Sequence, residues 1–256
     1  MRLVTSNFLY RHLLMHGLLC HYILLFTLQA TRACYNKGAT KTHISLWVEQ
    51  EENTMVYEVK TIQDMSQLDQ GNIARVDVYN WGGDYRPETY GILCYVKDQG
   101  FAVRMICKET DPVAVMTEQD TYVSMDSCME AFLDCDPSQG IGYFNFEGNA
   151  IGTMLECFGL PDKHPRMRLA ANGYAHPLPK VLRGDDYWGW ELLIPMDLIR
   201  AFYGDVEFKA GHKMRGDFYK CGDKTAQKHY GSFTPIDWPT PNFHRPEFFA
   251  DMVIVD

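Results

Sequence analysis

The chain has 256 residues, 46% hydrophobic and 22% charged. That composition excludes a disordered chain and gives length enough for one substantial domain or two small ones. A formal net charge of -9 at pH 7, with no stripe of Lys or Arg, argues against nucleic acid as a partner.

The first fifty residues differ from the rest. Residues 13–28, LLMHGLLCHYILLFTL, form an apolar run after Arg2 and Arg11, interrupted by His16 and His21. The outline is that of a signal peptide, but the run falls short of the roughly 20 apolar residues of a membrane span. Arg32 sits between the small residues Thr31 and Ala33, where a cleavage site would need an unbroken pattern. Residues 1–54 are therefore read as an extension outside the fold, with globular sequence from Met55 to residue 256. A cytoplasmic location is expected, and secretion is the alternative if residues 1–33 act as a signal. No membrane contact is expected unless that segment anchors the chain, and the sequence is silent on oligomeric state.

Beyond Arg75 the hydrophobic period is two. Strands are predicted at 90–97, 101–108, 126–135, 143–150, 151–158, 187–194 and 251–255, separated by Gly, Pro, Asp or Asn. Asp98-Gln99-Gly100 and the stretch Pro137 to Gly140 read as turns joining neighbours directly. The fold class expected is all-β: an antiparallel β-sandwich, immunoglobulin-like or jelly-roll-like, with one short helix. That helix starts after Pro195, runs through MDLIRAFY and stops at Gly204. No repeat or low-complexity tract is present.

Six of the eight cysteines follow Met55: Cys94, Cys107, Cys128, Cys135, Cys157 and Cys221. None forms a CxxC pair or a Cys/His set with zinc spacing, so no metal and no cofactor are expected, and the thiols read as small core hydrophobes. Their number would also permit disulfides in a secreted protein.

The strand at 143–150, YFNFEGNA, puts Phe144 and Phe146 on one face and Tyr143, Asn145, Glu147 and Asn149 on the other. The second face holds a phenol, two amides and a carboxylate in a row, groups suited to hydroxyl-rich ligands or to an internal polar network. Among tryptophans, Trp188 and Trp190 alternate in phase with Leu192 and Ile194 and read as core. Trp81 and Trp238 lie in turn-like sequence and are candidate stacking surfaces.

The blocks DSCMEAFLD (126–134), YFNFEGNAIGTM (143–154), DFYKCGD (217–223) and HYGSFTPIDWPTPNFHRPEFF (229–249), with WGGDYRPETYG (81–91), resemble the carbohydrate-binding domain of the family 9-like group. That group is related to the family 9 carbohydrate-binding modules attached to xylanases, β-sandwiches that hold a sugar between two tryptophans. The resemblance implies a sandwich and a saccharide ligand, bound without catalysis. A pyranose needs flat rings against its C–H faces and convergent polar groups around its rim. The candidate binding residues are Trp81, Arg86, Asn145, Glu147, Asn149, Arg215, Tyr219, Lys220, Phe233, Trp238, His244 and Arg245. Internal salt bridges are the alternative role for the cations, given Asp126, Glu130, Asp217 and Glu247 in the same blocks, and His244 alternatively knots its Pro-rich loop. The chain departs from the family pattern at Phe233 (commonly Trp), Asp217 (commonly Asn) and Ala250 (commonly Gly).

Two alternatives are carried with this reading. A glycosidase would need two carboxylates roughly 5–9.5 Å apart, whereas Asp126 and Glu130 on one strand lie about 13 Å apart. A haem-binding sandwich would use Met and His ligands, and no CxxCH attachment sequence exists. No GxSxG, HExxH, P-loop or dinucleotide fingerprint appears.

Overall fold

The computed structural model describes residues 56–160 and 165–256; the expectations for residues 1–54 and for Met55 lie outside the described residues. The described chain is mostly β. Its strands are β1 (Tyr57–Ile62), β2 (Ala74–Arg75), β3 (Val78–Gly82), β4 (Thr89–Val96), β5 (Gly100–Cys107), β6 (Cys128–Asp134) and β7 (Tyr143–Asn149). They continue with β8 (Met154–Gly159), β9 (Met167–Arg168), β10 (Lys180–Arg183), β11 (Trp188–Pro195), β12 (Lys213–Cys221), β13 (His229–Ser232) and β14 (Ala250–Val255). Among the described residues one α-helix, α1 (Met196–Tyr203), follows β11, entered through Pro195 and closed by Gly204 at φ 71°. No described helix is long and apolar enough to cross a membrane.

The strands join into one sheet in the order β10-β11-β5-β4-β1-β14-β12-β6-β7-β8-β9, with β13 bridging β12 and β3, and β2 on β4. The expectation of a purely antiparallel sheet is corrected at β1, which runs parallel to both β14 and β4. A parallel pair needs a long crossover, and residues 63–88 supply it between β1 and β4. Residues 151–153, expected to open a strand, form the turn before β8, where Gly152 sits at φ 84°.

The sheet curls until β4, β5 and β11 face β6, β7 and β12. Between them lies a core that includes Phe144, Phe146, Phe218, Trp188 and Trp190, all buried. The closeness of the two halves shows at Gly148, where an added Cβ would stand 2.7 Å from Trp190 Nε1. Glycine is thus required there by space. The opposite face of β6, β7, β8 and β12 is also covered, by a second apolar group that includes Phe132, Tyr143, Tyr219 and Phe243.

Residues 215–220, where no strand is predicted from the sequence, belong to strand β12 at the centre of the sheet. Its inward face carries Lys220, which is completely buried. Lys220 Nζ lies 2.8 Å from His229 Nε2, 3.1 Å from the Cys221 carbonyl and 3.6 Å from the Glu109 carboxylate. Burial alone would raise the Glu109 pKa, but Lys220 and hydrogen bonds from Trp188, Tyr85 and Ser127 outweigh it and hold the carboxyl below its usual range. Burial and then Lys220 lower His229 to about 4. The imidazole is therefore neutral, donating from Nδ1 to the Gln227 carbonyl at 2.7 Å and accepting from Lys220 at Nε2. Lys220 is an interior ion-pair residue.

Asp217 on the outward face of β12 ties down the chain that follows β13. Its Oδ1 accepts from the amides of Phe218 (2.7 Å), Phe233 (3.2 Å) and Thr234 (3.3 Å), and its Oδ2 meets the Thr234 hydroxyl. Thr234 also donates to the Phe248 carbonyl at 2.6 Å. One hydroxyl proton cannot serve both acceptors. Burial raises Asp217 to about 7 against the pull of these hydrogen bonds, and the protonated form resolves the conflict by donating to Thr234. Asp217→Ala strands the amides of Phe218 and Thr234, that of Phe233 keeping the Phe218 carbonyl at 2.9 Å, and is expected to cost about 2–4 kcal/mol in urea denaturation, whereas Asp217→Asn, which keeps acceptor and donor, is expected to cost under about 1 kcal/mol.

Glu156 of β8 points inward, 1% exposed, with Oε2 3.0 Å from His176 Nδ1. Burial, and then the charge of Asp120, raise it to about 9, while burial lowers His176. The unfolded chain gives up this proton near about 4.3. Between those limits the folded state binds more protons, so stability falls as pH rises. The urea midpoint is expected to drop from pH 5 to pH 9, and Glu156→Gln to flatten that slope.

Candidate functional site

A pocket of about 520 Å³ opens on the outward face of β6, β7, β8 and β12. Strand alternation builds its floor. Glu130 comes from β6, Asn145 and Glu147 from β7, Leu155 and Cys157 from β8, and Cys221 from β12. The walls come from connections: Tyr122 and Ser124 before β6, Arg166 and Arg168 around β9, Asp223, Lys228 and Tyr230 around β13, and Pro241 to His244 beyond it.

The floor is held by one guanidinium. Arg166 donates from Nε to Asn145 Oδ1 (2.8 Å), from Nη2 to the Tyr143 carbonyl (2.6 Å), and from Nη1 to the carbonyls of Gly159 (2.9 Å) and Leu160 (3.2 Å). Its plane also lies 4.1 Å from the Tyr143 ring centroid. Asn145, its oxygen fixed by Arg166, turns its amide nitrogen to Glu147 Oε1 at 2.8 Å. The amide orientation follows from the donor on one side and the acceptor on the other.

Glu130 and Glu147 stand opposite each other across the β6–β7 register. Both carboxyls are held above their usual range: Glu130 by burial and then the charge of Glu147, Glu147 by burial against the opposing pull of Asn145, Arg166 and Arg168. Glu130 Oε1 accepts from the Cys221 thiol at 3.1 Å.

Aromatic rings form the rest. Phe243 is stacked on Tyr219 with centroids 4.2 Å apart and planes at 11°. His244 lies over Phe132 at 4.8 Å, with Nδ1 2.9 Å from the Tyr143 hydroxyl. Tyr230 is anchored by its hydroxyl to Asp223 at 2.6 Å. Tyr122 is 58% exposed, and Arg168 stacks 4.9 Å from its centroid.

Of the twelve sequence-predicted residues, the pocket gathers Asn145, Glu147 and His244. Tyr219 lies directly beneath Phe243. Trp81 and Trp238 stand in the row behind: Trp81 packs on Phe243 at 6.3 Å and donates from Nε1 to the Trp238 carbonyl at 2.9 Å, and Arg245 covers the Trp238 ring at 3.4 Å while pairing with Glu247. Asn149 is used locally, donating to the Met116 carbonyl and Asp126 and accepting from the amides of Ile151 and Thr153. Arg215 clamps the chain before β14 through Asp251 and the carbonyls of Pro246 and Phe249. Phe233 packs edge-on against Tyr57 and Phe218, and Arg86 is exposed, 5.9 Å from the Tyr79 ring.

The sequence reading missed Tyr122, Arg166, Arg168, Tyr230 and Phe243. Phe243 lay inside a quoted block and could have been found as an aromatic in a Pro/Asn loop; Arg166 gave no signal of its own. Among the described lining residues His244 is the one imidazole, and no thioether is present.

The model for "Carbohydrate-binding family 9" matches residues 60–254. Among solved structures, a candidate carbohydrate-binding protein from Bacteroides uniformis is 26% identical, with TM-score 0.66 over 79% of this chain and 100% of that one. A carbohydrate binding module family 9 from Caldicellulosiruptor kristjanssonii in complex with cellotriose is 10% identical, with TM-score 0.55 over 78% and 93%. The Caldicellulosiruptor kristjanssonii module in complex with glucose is 12% identical, with TM-score 0.55 over 78% and 96%. No curated protein matches the chain.

Arg166→Met removes the donor for one amide oxygen and three carbonyls, and the cation beside Glu147. It is expected to cost about 2–4 kcal/mol by urea denaturation. Arg168→Met, which loses a more exposed pairing with Asp120, is expected to cost under about 1 kcal/mol.

Proposed function

The chain belongs to carbohydrate-binding family 9, and from that footing we propose that it is a non-catalytic sugar-binding β-sandwich whose ligand enters the pocket between Tyr122, Tyr230 and Phe243. One observation carries the reading. A concave site combines three aromatic rings with amide, carboxyl, guanidinium and ammonium groups, and its floor is locked by Arg166 before any ligand arrives. Preorganised polar groups lose little freedom on binding, which is how a small hydrophilic ligand reaches useful affinity. The rings offer apolar faces to the C–H patches of a pyranose, while Asn242, Arg168, Lys228 and Asp223 offer donors and acceptors to its hydroxyls.

The ligand class we favour is glucose or a short chain of glucose units. Two structures of the same fold were solved with glucose and cellotriose, and the volume suits one or two sugar rings. Binding in preference to hydrolysis is supported by the state of the floor. Glu130 and Glu147 are buried and already engaged with Cys221 and Asn145, so neither is presented to a glycosidic oxygen.

Calorimetry with glucose, cellotriose and a glycan array tests the proposal. Tyr122→Ala and Phe243→Ala are expected to weaken binding roughly tenfold or more, about 1.4 kcal/mol. Trp238→Ala, one row behind, should change affinity less than about threefold. Failure to bind any glycan, or turnover of an oligosaccharide abolished by Glu130→Gln or Glu147→Gln, would overturn it.

A further inference from the structure

On the pocket floor the β6–β12 register sets Cys128 directly opposite Cys221. Alternation places Glu130, two residues along β6, on the same face. Two thiol sulfurs and one carboxylate oxygen thereby come within 4.8 Å of one another, all three groups buried. No spacing motif announces this set, because its members come from strands far apart in the chain.

We propose that Cys128, Cys221 and Glu130 form a binding site for a borderline-soft divalent metal, zinc by preference, with its fourth coordination position turned toward the cavity. A tetrahedral zinc ion binds thiolate sulfur at about 2.3 Å and carboxylate oxygen at about 2.0–2.2 Å, so three ligands stand roughly 3.3–3.8 Å apart. The donors already lie close to that spread. The Cys221 thiol and Glu130 Oε1, 3.1 Å apart, share a proton where the metal would sit, and both residues line the cavity while Cys128 lies behind them. Two thiolates and a carboxylate neutralise the ion and leave one negative charge, beside which Arg166 and Arg168 stand in the same pocket. Two sulfur donors select zinc over calcium or magnesium, which prefer oxygen. Each thiol loses its proton to solvent as its S–metal bond forms, as does the Glu130 carboxyl where it carries one, without change of oxidation state, so affinity rises with pH.

The site does not depend on the sugar reading, and its test contains no sugar. The full chain, purified under reducing conditions and stripped of metal, is titrated with cadmium as spectroscopic probe and with zinc in competition. One equivalent of cadmium is expected to produce a sulfur-to-metal charge-transfer band. Cys128→Ser and Cys221→Ser should each weaken binding roughly a hundredfold and Glu130→Gln roughly tenfold. Cys157→Ser, which removes the neighbouring pocket thiol, should leave the band intact. X-ray absorption of the zinc-loaded unmodified protein needs no variant to fold, and should show two sulfur neighbours at about 2.3 Å with lighter atoms at about 2.0 Å. The proposal is overturned by absence of the band, by its survival when both cysteines are replaced, by an absorption spectrum with only light neighbours, or by recovery of Cys128 and Cys221 as a disulfide.

Discussion

A polar group buried without a partner costs about 1–3 kcal/mol, and β7 buries four of them in a row. Tyr143, Asn145, Glu147 and Asn149 all leave water on one face, so the surrounding chain has to supply their partners. Arg166 meets Asn145 and cradles Tyr143; Asn145 meets Glu147; Asn149 spends its amide on the loop at 116–126 and on the turn before β8. The connections that wall the pocket are therefore positioned by the same bonds that make β7 tolerable. Satisfaction of the strand and construction of the site are one event.

The two faces of the sheet handle buried charge differently. Inside the curl, Lys220 and Glu109 compensate each other with a neutral His229 completing the set, and nothing is left for a ligand. On the outer face, Glu130 and Glu147 oppose each other, with the Cys221 thiol donating to Glu130, and Asn145 and the guanidinium groups of Arg166 and Arg168 drawing on Glu147. Like carboxyls kept close and dry are usually reserved for chemistry or binding, since a structural role would be served more cheaply by apolar residues. That asymmetry is what favours the outer face as the place where a ligand would bind.

Much of this was legible in the residues. The two-residue period located β4, β5, β6, β7, β11 and β14, and Pro195 with Gly204 bounded the helix. β1 also alternates cleanly as YEVKTI, but alternation tells which face a side chain takes and not which neighbour the strand joins, so parallel pairing was invisible. β12 escaped because both its faces are buried and it carries Lys220 inward and Asp217 outward, which breaks the expected pattern. In the pocket, Asn145 and Glu147 followed from strand geometry. The rings did not: the stack of Phe243 on Tyr219 joins a loop to a strand, and Trp81 and Trp238, conspicuous in turn-like sequence, brace that loop from behind.

The placement of β1 has a temporal consequence. It occupies the seam between the two halves of the sheet, held by β4 on one edge and by β14 on the other. While the polypeptide is being made, residues 57–62 wait with an open edge until residues 250–255 exist, and only then is the seam sealed. A nascent domain of this design keeps that edge open until β14 has been made, so closure of the seam is tied to a strand nearly two hundred residues downstream of β1.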